Sequence, residues 1–270
     1  MPLPIALKPV ERLLFRSDIV AIGSFRCPAS HPLFADSGPC THHTFVFPRT
    51  CTVIRHSGAP AFTATPNCVT TYNQKQEYSR RPISEADASD WYVVADDVLV
   101  AATGVRERPF RQTHVPIDAR TYLLQRQLFE DAGRGVADPA EIDEAVLSLL
   151  SRVLEATPSR RINSELRDKV EIVKCRIATA PFRLLSLRHL AAASGLSPFH
   201  LCRAFRKVTG MSMTAYRHQL RVRMSLDALR RGRDVGALAL LLGYASHSHF
   251  GGTFRRAFGM TPSQFRARPL

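Results

Sequence analysis

The sequence predicts a mixed fold: a β-rich barrel-like N-terminal part followed by helices, then an all-α C-terminal part with two helix-turn-helix units joined by a long helix. Three observations carry that expectation. The stretch Phe205 to Arg217 returns 49 residues later as Phe254 to Arg266, with Phe, Arg, Gly, Met and the closing aromatic-Arg pair in register; an internal repeat means two copies of one supersecondary unit. Short β-branched and aromatic runs broken by turn residues fill residues 44 to 100, the pattern of an antiparallel barrel or sandwich. Residues 160–270 hold 21 Lys and Arg against 5 Asp and Glu, whereas residues 1–159 hold 16 against 18, so all of the net +14 lies with the repeat. That asymmetry marks a nucleic-acid-binding module joined to a neutral one, because cations that replace phosphate counterions gain affinity by releasing them. A merely solvated basic face is the alternative that charge alone leaves open.

At 270 residues and 45% hydrophobic content the chain can build two ordinary cores. No apolar run approaches the ~20 residues that span a bilayer. The start, Met1 to Lys8, lacks the charged and apolar regions of a leader, so the expectation is a soluble cytoplasmic protein with no membrane partner. Six cysteines, at 27, 40, 51, 68, 175 and 202, are too sparse for a disulfide scaffold and contain no CxxC pair.

In chain order, Thr44 to Phe47, Cys51 to Arg55, Cys68 to Tyr72, Trp91 to Val94 and Val98 to Val100 read as strands, separated by Ser57 to Pro60, Thr65 to Asn67 and Asp87 to Asp90. Asp118 to Ala132, Pro139 to Ala156 and Ser164 to Ala178 follow as amphipathic helices; the second carries Ile142, Ala145, Val146, Leu149, Leu150 and Val153 on one side. The apolar stripes of the second and third are wide enough to serve as a dimer interface.

Ser186 then offers an N-cap for a helix with Leu187, Leu190 and Ala191 at helical spacing, and Gly195 stops it. Ser197-Pro198 restarts a helix with Leu201 and Phe205 inward. Thr214 to Gly232 is one long helix. Val235 to Leu242, the turn Gly243 to Ser246, and His247 to Phe258 repeat the unit, and Gly210 and Gly259 close the two outer helices as C-caps. Helix, Gly-containing turn, helix is the DNA-binding helix-turn-helix pattern. A rigid spacer suits two recognition helices about 34 Å apart, one turn of duplex.

The stretch Leu187 to Arg266, with Ser197 to Lys207, Leu242-Gly243-Tyr244, His247 to Phe250 and Phe254 to Arg266, resembles the DNA-binding domain of AraC/XylS-type transcription regulators, including the closing Gly-x-Thr-Pro-Ser-x-aromatic-Arg element. Position by position, the resemblance puts Phe199, Cys202 and Arg203 on the groove-facing side of the first recognition helix, and Ser246, His247, Ser248, Gly251 and Gly252 on that of the second. Arg203 can pair in bidentate fashion with guanine O6 and N7. Arg206, Lys207, Arg255 and Arg256 are candidate phosphate clamps, which position without reading sequence; solvated basic residues are the bland alternative. Gly251-Gly252 departs from the family, whose members commonly carry polar or basic side chains there, so the first unit is expected to supply most of the base specificity.

For residues 1–115 the resemblance implies a cupin-like effector or sensor barrel, for 116–180 a helical linker and dimerisation region, and for 181–270 the DNA-binding domain. Arg49, Tyr72, Tyr78, Arg80 and Trp91 are the effector-pocket candidates, the two arginines as anion partners, with barrel core or surface as the alternative for each. No cofactor is expected. His247-Ser248-His249 lacks a third ligand at a useful distance, and His42-His43 cannot put both rings inside one strand, so neither a metal at the helix nor an enzymatic cupin is expected. Cys27, Cys40, His42 and Cys51 could still gather into a metal- or thiol-sensing site, although free cysteines also serve as small core residues. A DNA-repair methyltransferase would need closely paired cysteines; the intervals here are 13, 11 and 17. The function implied is an effector-responsive, non-enzymatic regulator that binds promoter DNA, dimerises with a second copy and works with RNA polymerase. An effector-independent architectural DNA binder is the rival reading.

Overall fold

Strands buried on both faces dominate the N-terminal part of the computed structural model, which describes residues 1–35, 38–135, 137–156, 163–183 and 185–267; Phe62–Ala64, Cys68–Tyr72 and Asp87–Val94 are buried without a break. The chain divides into two units, Met1–Thr157 and Pro158–Leu270. The first opens with β1 (Glu11–Arg16), β2 (Val20–Pro28), β3 (Thr44–Pro48), β4 (Thr52–His56), β5 (Phe62–Ala64), β6 (Cys68–Tyr72), β7 (Tyr78–Pro82) and β8 (Ala86–Val94). Helix α1 (Asp96–Thr103), strand β9 (His114–Pro116) and helices α2 (Ala119–Arg134) and α3 (Pro139–Glu155) complete it.

The strands form two antiparallel sheets, one of six strands in the order β1-β2-β8-β3-β6-β9 and one of three in the order β5-β4-β7. The expected barrel is therefore corrected: the ladders do not join into a closed cylinder, and the sheets meet through side chains. Ile54, Phe62 and Ala64 of the small sheet pack with Tyr72 of the large one. On β8, Asp87, Ser89, Trp91 and Val93 face this inter-sheet space, while Tyr92 donates to the Gln125 carbonyl of α2 on the opposite face at 3.3 Å. Gly23 of β2 pairs opposite Trp91. A Cβ there would lie 2.1 Å from the indole, so the ring requires glycine beneath it.

Two sequence expectations fail here for local reasons. Val98 to Val100 is not a strand but part of α1: Asp96 and Asp97 occupy the first turn, where the helix dipole favours carboxylates, and left-handed Gly104 closes the end with its N–H on the Val100 carbonyl. A three-residue apolar run cannot distinguish the two states. Asp87 to Asp90 is not a break but the first half of β8, because both aspartates are paired with arginines, Asp87 with buried Arg80 at 2.7 Å and Asp90 with half-buried Arg49 at 2.8 Å and buried Arg126 at 2.9 Å.

Asp118 caps α2 by accepting the Thr121 N–H at 2.7 Å, and Asp138 caps α3. Helix α3 packs on α2, and its stripe of Ile142, Val146, Leu149, Leu150 and Val153 is buried within this unit. That stripe is thus consumed in the fold and is not open to a second copy.

His56 of β4 is buried between Tyr72 at 4.7 Å and Phe62 at 5.8 Å. Burial lowers its pKa from the ordinary 6.5 to about 4, so the folded unit holds it neutral where the unfolded chain takes a proton. Its contribution is complete above pH 6.5 and is lost as the pH falls toward 4. Acid unfolding of the first unit followed by Trp91 emission should show that limb, and His56→Phe should flatten it; an unchanged profile would reject the assignment.

The second unit is helical: α4 (Ser164–Thr179), α5 (Leu187–Ser194), α6 (Pro198–Thr209), α7 (Met213–Arg230), α8 (Val235–Leu241), α9 (His247–Phe258) and α10 (Pro262–Ala267). Asn163 caps α4, whose buried Val170, Val173 and Ile177 lie on the side that packs against α5 and α6. The apolar stripe of α4 is also spent within its own unit. Of the helices expected between 116 and 180, α2 and α3 belong to the first unit and α4 to the second. Among the described residues no helix is long and apolar enough to cross a membrane.

Candidate nucleic-acid interface and inter-sheet cavity

The two copies of the repeat close their first helices in the same way. Gly195 (φ +64°) and Gly243 (φ +74°) take the left-handed conformation. Each donates to the carbonyl three residues back, Ala192 at 3.2 Å and Leu240 at 2.9 Å; the next residue, Leu196 or Tyr244, donates five residues back, to Ala191 or Ala239, at 3.0 Å. This closes α5 and α8 alike. The second turn then carries one extra residue, Ala245, before the cap: Ser197 accepts the His200 N–H at 3.3 Å, and Ser246 accepts the His249 N–H at 3.1 Å. Gly243 has no substitute, since a Cβ would sit 2.2 Å from the Phe182 carbonyl oxygen.

Both outer helices bury aromatic anchors. On α6 Leu201, Ala204 and Phe205 are buried, with Phe205 edge-on to Tyr216 of α7 at 5.4 Å. On α9 Phe250, Thr253, Phe254 and Phe258 are buried, with Phe254 5.7 Å from Phe250 and 5.9 Å from Phe265 of α10. What remains outward on α6 is a stripe at helical spacing, Phe199, Cys202, Arg203 and Arg206, with Lys207 beside it. Phe199 is 66% exposed, unusual for a lone Phe, and the Arg203 guanidinium lies 5.6 Å from its ring. The outward face of α9 carries His247, Ser248, Gly252, Arg255 and Arg256. Ser246 is exposed too; its hydroxyl oxygen accepts the His249 N–H as the cap, which leaves the O–H to donate outward.

The four clamp candidates end their helices: Arg206 and Lys207 fill the last turn of α6, Arg255 and Arg256 that of α9. There they also complement the helix dipoles. Arg256 donates to Thr253 Oγ1 at 3.2 Å, so its reach is partly fixed.

Not all of the basic charge faces outward, and this the sequence count did not reveal. Arg221 and Arg223 of α7 are 2% and 1% exposed. Arg221 donates from Nε to the Pro181 carbonyl at 2.6 Å and from Nη1 to the Gly243 carbonyl at 3.0 Å, tying the α4–α5 connection to the second turn. Arg230 lies 4.3 Å from the Phe265 ring and donates to its carbonyl at 3.3 Å. The signal available was position: Arg221 and Arg223 fall among the apolar residues of α7.

Gly251-Gly252 is solvent-side on α9. A Cβ at 251 would meet nothing within 4 Å, and one at 252 only Arg256 Nη1 at 3.9 Å. Gly251→Ala and Gly252→Ala should each stabilise the second unit by about 1 kcal/mol, the helix-propensity difference, readable as a rise in its thermal midpoint. No rise would mean that α9 is held by packing alone.

In the first unit, a cavity of about 90 Å³ opens between the sheets. It brings together four of the five pocket candidates, Tyr72, Tyr78, Arg80 and Trp91, adds Lys8, Glu11 and Asp87, which sequence reasoning missed, and includes Cys40, a candidate there for a metal- or thiol-sensing group. Arg49 lies elsewhere, because Asp90 draws it to the other face of the sheet, where its guanidinium is 4.6 Å from the Phe129 ring of α2. Cys27, Cys40, His42 and Cys51 do not form one group: Cys40 and His42 line the cavity, whereas Cys27 sits in the apolar cluster of β2 and Cys51 is buried before β4. Among the described residues no group of three or more His, Cys, Asp or Glu is placed to hold a metal ion.

Comparisons with known proteins place the repeat among DNA-binding domains. A helix-turn-helix domain family matches residues 190–268. The regulatory protein SoxS of Salmonella typhimurium is 38% identical over 85 residues, 31% of this chain and 79% of SoxS. The transcriptional activator RhaR of Pectobacterium carotovorum is 32% identical over 143 residues, 48% of this chain and 47% of RhaR. The bifunctional transcriptional activator and DNA repair enzyme AdaA of Bacillus subtilis is 32% identical over 83 residues, 30% of this chain and 39% of AdaA. The chain thus spans less than half the length of AdaA and RhaR. Among solved structures, ToxT of Vibrio cholerae covers 93% of this chain and 98% of its own at 11% identity and a TM-score of 0.38. With a 38% identical relative covered over most of its length, the chain belongs to the AraC/XylS family of transcription regulators.

Proposed function

We infer that this chain is a sequence-specific DNA-binding regulator that places α6 and α9 in successive major grooves of promoter DNA and responds to a small molecule held between its two sheets. The repeated turn carries the first half of this reading. Two helix pairs with the same Gly-closed corner, each presenting an outward helix with basic residues at its end, suit a ligand that repeats once per turn, as a duplex does. Helix α7, with 18 residues and about 1.5 Å of rise for each, is about 27 Å long, a spacer of the right order. On this reading Phe199, Cys202, Arg203, Ser246, His247 and Ser248 meet base edges, and Arg206, Lys207, Arg255 and Arg256 meet phosphates. Ser246 positions α9 through its cap.

The functional division we favour is a sensor over residues 1–115, helices over 116–180 that relay and pair copies, and a DNA-binding part over 181–270. RNA polymerase and a second copy of the chain are its protein partners in the cytoplasm. The second copy must use a surface other than the buried stripes of α3 and α4. No catalytic role is assigned to any residue.

Selection from a random duplex library is the test. It should return two half-sites spaced by about 10 base pairs, one helical turn. A single half-site, or no preference, would reject the two-groove arrangement. For the sensor, a metabolite screen should find a saturable thermal stabilisation that grows as RT ln(1 + [L]/Kd); none at all would favour an effector-independent architectural protein.

A further inference from the structure

The formal charges that line the inter-sheet cavity balance in number, Lys8 and Arg80 against Glu11 and Asp87. Arg80 meets Asp87 at 2.7 Å, and both are buried. The guanidinium is held between Phe25 at 4.2 Å and Phe34 at 5.1 Å and also donates to the Leu33 carbonyl at 3.1 Å, so its fork is occupied. Glu11 accepts the Lys8 backbone N–H at 2.8 Å; burial raises its pKa, and that bond and the Lys8 ammonium, which lies 6.0 Å from the Tyr78 ring, offset the rise only in part. The other titratable groups on the walls are driven to their neutral forms by burial: the Cys40 thiol is pushed up to about 12, the Tyr72 and Tyr78 phenols are raised, and His42 is lowered.

The rest of the wall is a cluster of aromatic rings with aliphatic and hydroxyl side chains beside it, among them Ile5, Val46, Val93, Thr44 and Ser89. Tyr72 and Tyr78 stand 4.8 Å apart and tilted, His56 adjoins both at 4.7 and 6.3 Å, and Trp91 and Phe25 close the large-sheet side. These separations are those at which aromatic rings attract edge to face or offset. At roughly 10 to 15 Å³ of such space per water, the cavity holds about six to nine waters, the bulk of one small ring system.

We propose that the effector is an uncharged, planar aromatic molecule of one or two rings, seated among Tyr72, Tyr78 and Trp91. This rests on reading the cavity as the effector site. An anionic or cationic ligand would bring a net charge to walls whose own charges are already compensated, and desolvating it would find no repayment there. Arg80, an anion partner by sequence, is excluded from that role by Asp87.

Trp91 is the only tryptophan in the chain, so its emission, excited where phenols do not absorb, reports this cavity alone. The full chain is titrated with p-cresol, benzoate, benzylammonium and myo-inositol, with thermal shift as a parallel readout. p-Cresol should give a saturable change with a Kd at least about tenfold below those of the two ions, a difference of about 1.4 kcal/mol, and myo-inositol none. Equal or tighter binding of benzoate, benzylammonium or myo-inositol overturns the proposal, as does no response to any of the four. In those cases a saturable ligand from the metabolite screen leaves the effector reading standing, and the lack of one removes both. Glu11→Gln takes a negative charge from beside Lys8 and should shift the preference toward benzoate; an unchanged ratio in a variant with an unaltered Trp91 unfolding curve also overturns it.

Discussion

Asp90→Ala should cost the first unit about 3 to 5 kcal/mol, the penalty for removing one partner from a buried ion pair and a large part of the 5 to 15 kcal/mol that holds an ordinary domain together. Asp90 is fully buried in the middle of β8. Its Oδ1 lies 2.8 Å from Arg49 Nε, and its Oδ2 accepts from Arg126 Nη1 at 2.9 Å and from Gln125 Nε2 at 2.7 Å. One carboxylate thus fastens α2 and the β3–β4 connection to the same strand. Removing it leaves two guanidinium groups facing each other in a nearly dry space. Arg126 keeps a longer contact with Glu130 at 3.4 Å, so the loss is softened but not cancelled. Asp90→Asn keeps an acceptor for Gln125 and should fall between the wild type and Asp90→Ala. Denaturant unfolding followed by Trp91 emission reports the first unit; a loss below about 1 kcal/mol for Asp90→Ala, the scale of an exposed pair, would show that the arginines find other acceptors.

That network also explains which parts of the fold were legible in the sequence. The C-terminal unit was readable almost helix by helix, because Ser197, Gly210, Gly243 and Gly259 are punctuation whose meaning is local: a hydroxyl for an orphan N–H, a left-handed residue for a helix end. Ser186 is a partial exception, at the N-cap position of α5 in extended conformation but without a side-chain cap bond. The N-terminal unit depends on partners far apart in the chain. Asp87 to Asp90 looks like a turn until Arg80, Arg49 and Arg126 are placed around it. Likewise β2 is hidden by Gly23, whose reason is an indole 68 residues later, opposite it on β8. At the candidate sites the same division holds. The stripe on α6 follows from helical spacing, whereas the cavity's charge balance could be known only once Lys8, Glu11, Arg80 and Asp87 were brought together.

Arg203→Ala should remove about 1 to 3 kcal/mol of discrimination at one base pair, the worth of a bidentate arginine–guanine contact, while His247→Ala and Ser248→Ala should each remove less. The asymmetry follows from what the two outward helices have left to offer. Arg203 is exposed on α6, and the Phe199 ring beneath its guanidinium limits the orientations it must give up on binding. Among the described residues no carboxylate pairs with it. Phe199 itself offers an apolar surface suited to a thymine methyl. On α9, Ser246 gives an oxygen lone pair to the His249 N–H and keeps one O–H to donate, and Gly251 and Gly252 carry no side chain. His247 and Ser248 remain near the helix start, beside His249, whose ring lies edge-on to Tyr244 at 5.2 Å and His218 at 5.7 Å. Alanine at Arg206, Lys207, Arg255 or Arg256 should instead weaken binding to every sequence alike and reduce the salt slope by about 0.9 for each phosphate that is no longer neutralised. Titrations of a selected duplex and its single-base variants at fixed salt separate these outcomes. If His247→Ala relaxes the base preference more than Arg203→Ala does, specificity resides in the second copy, and the double glycine must then be read as allowing α9 a closer approach to the groove floor.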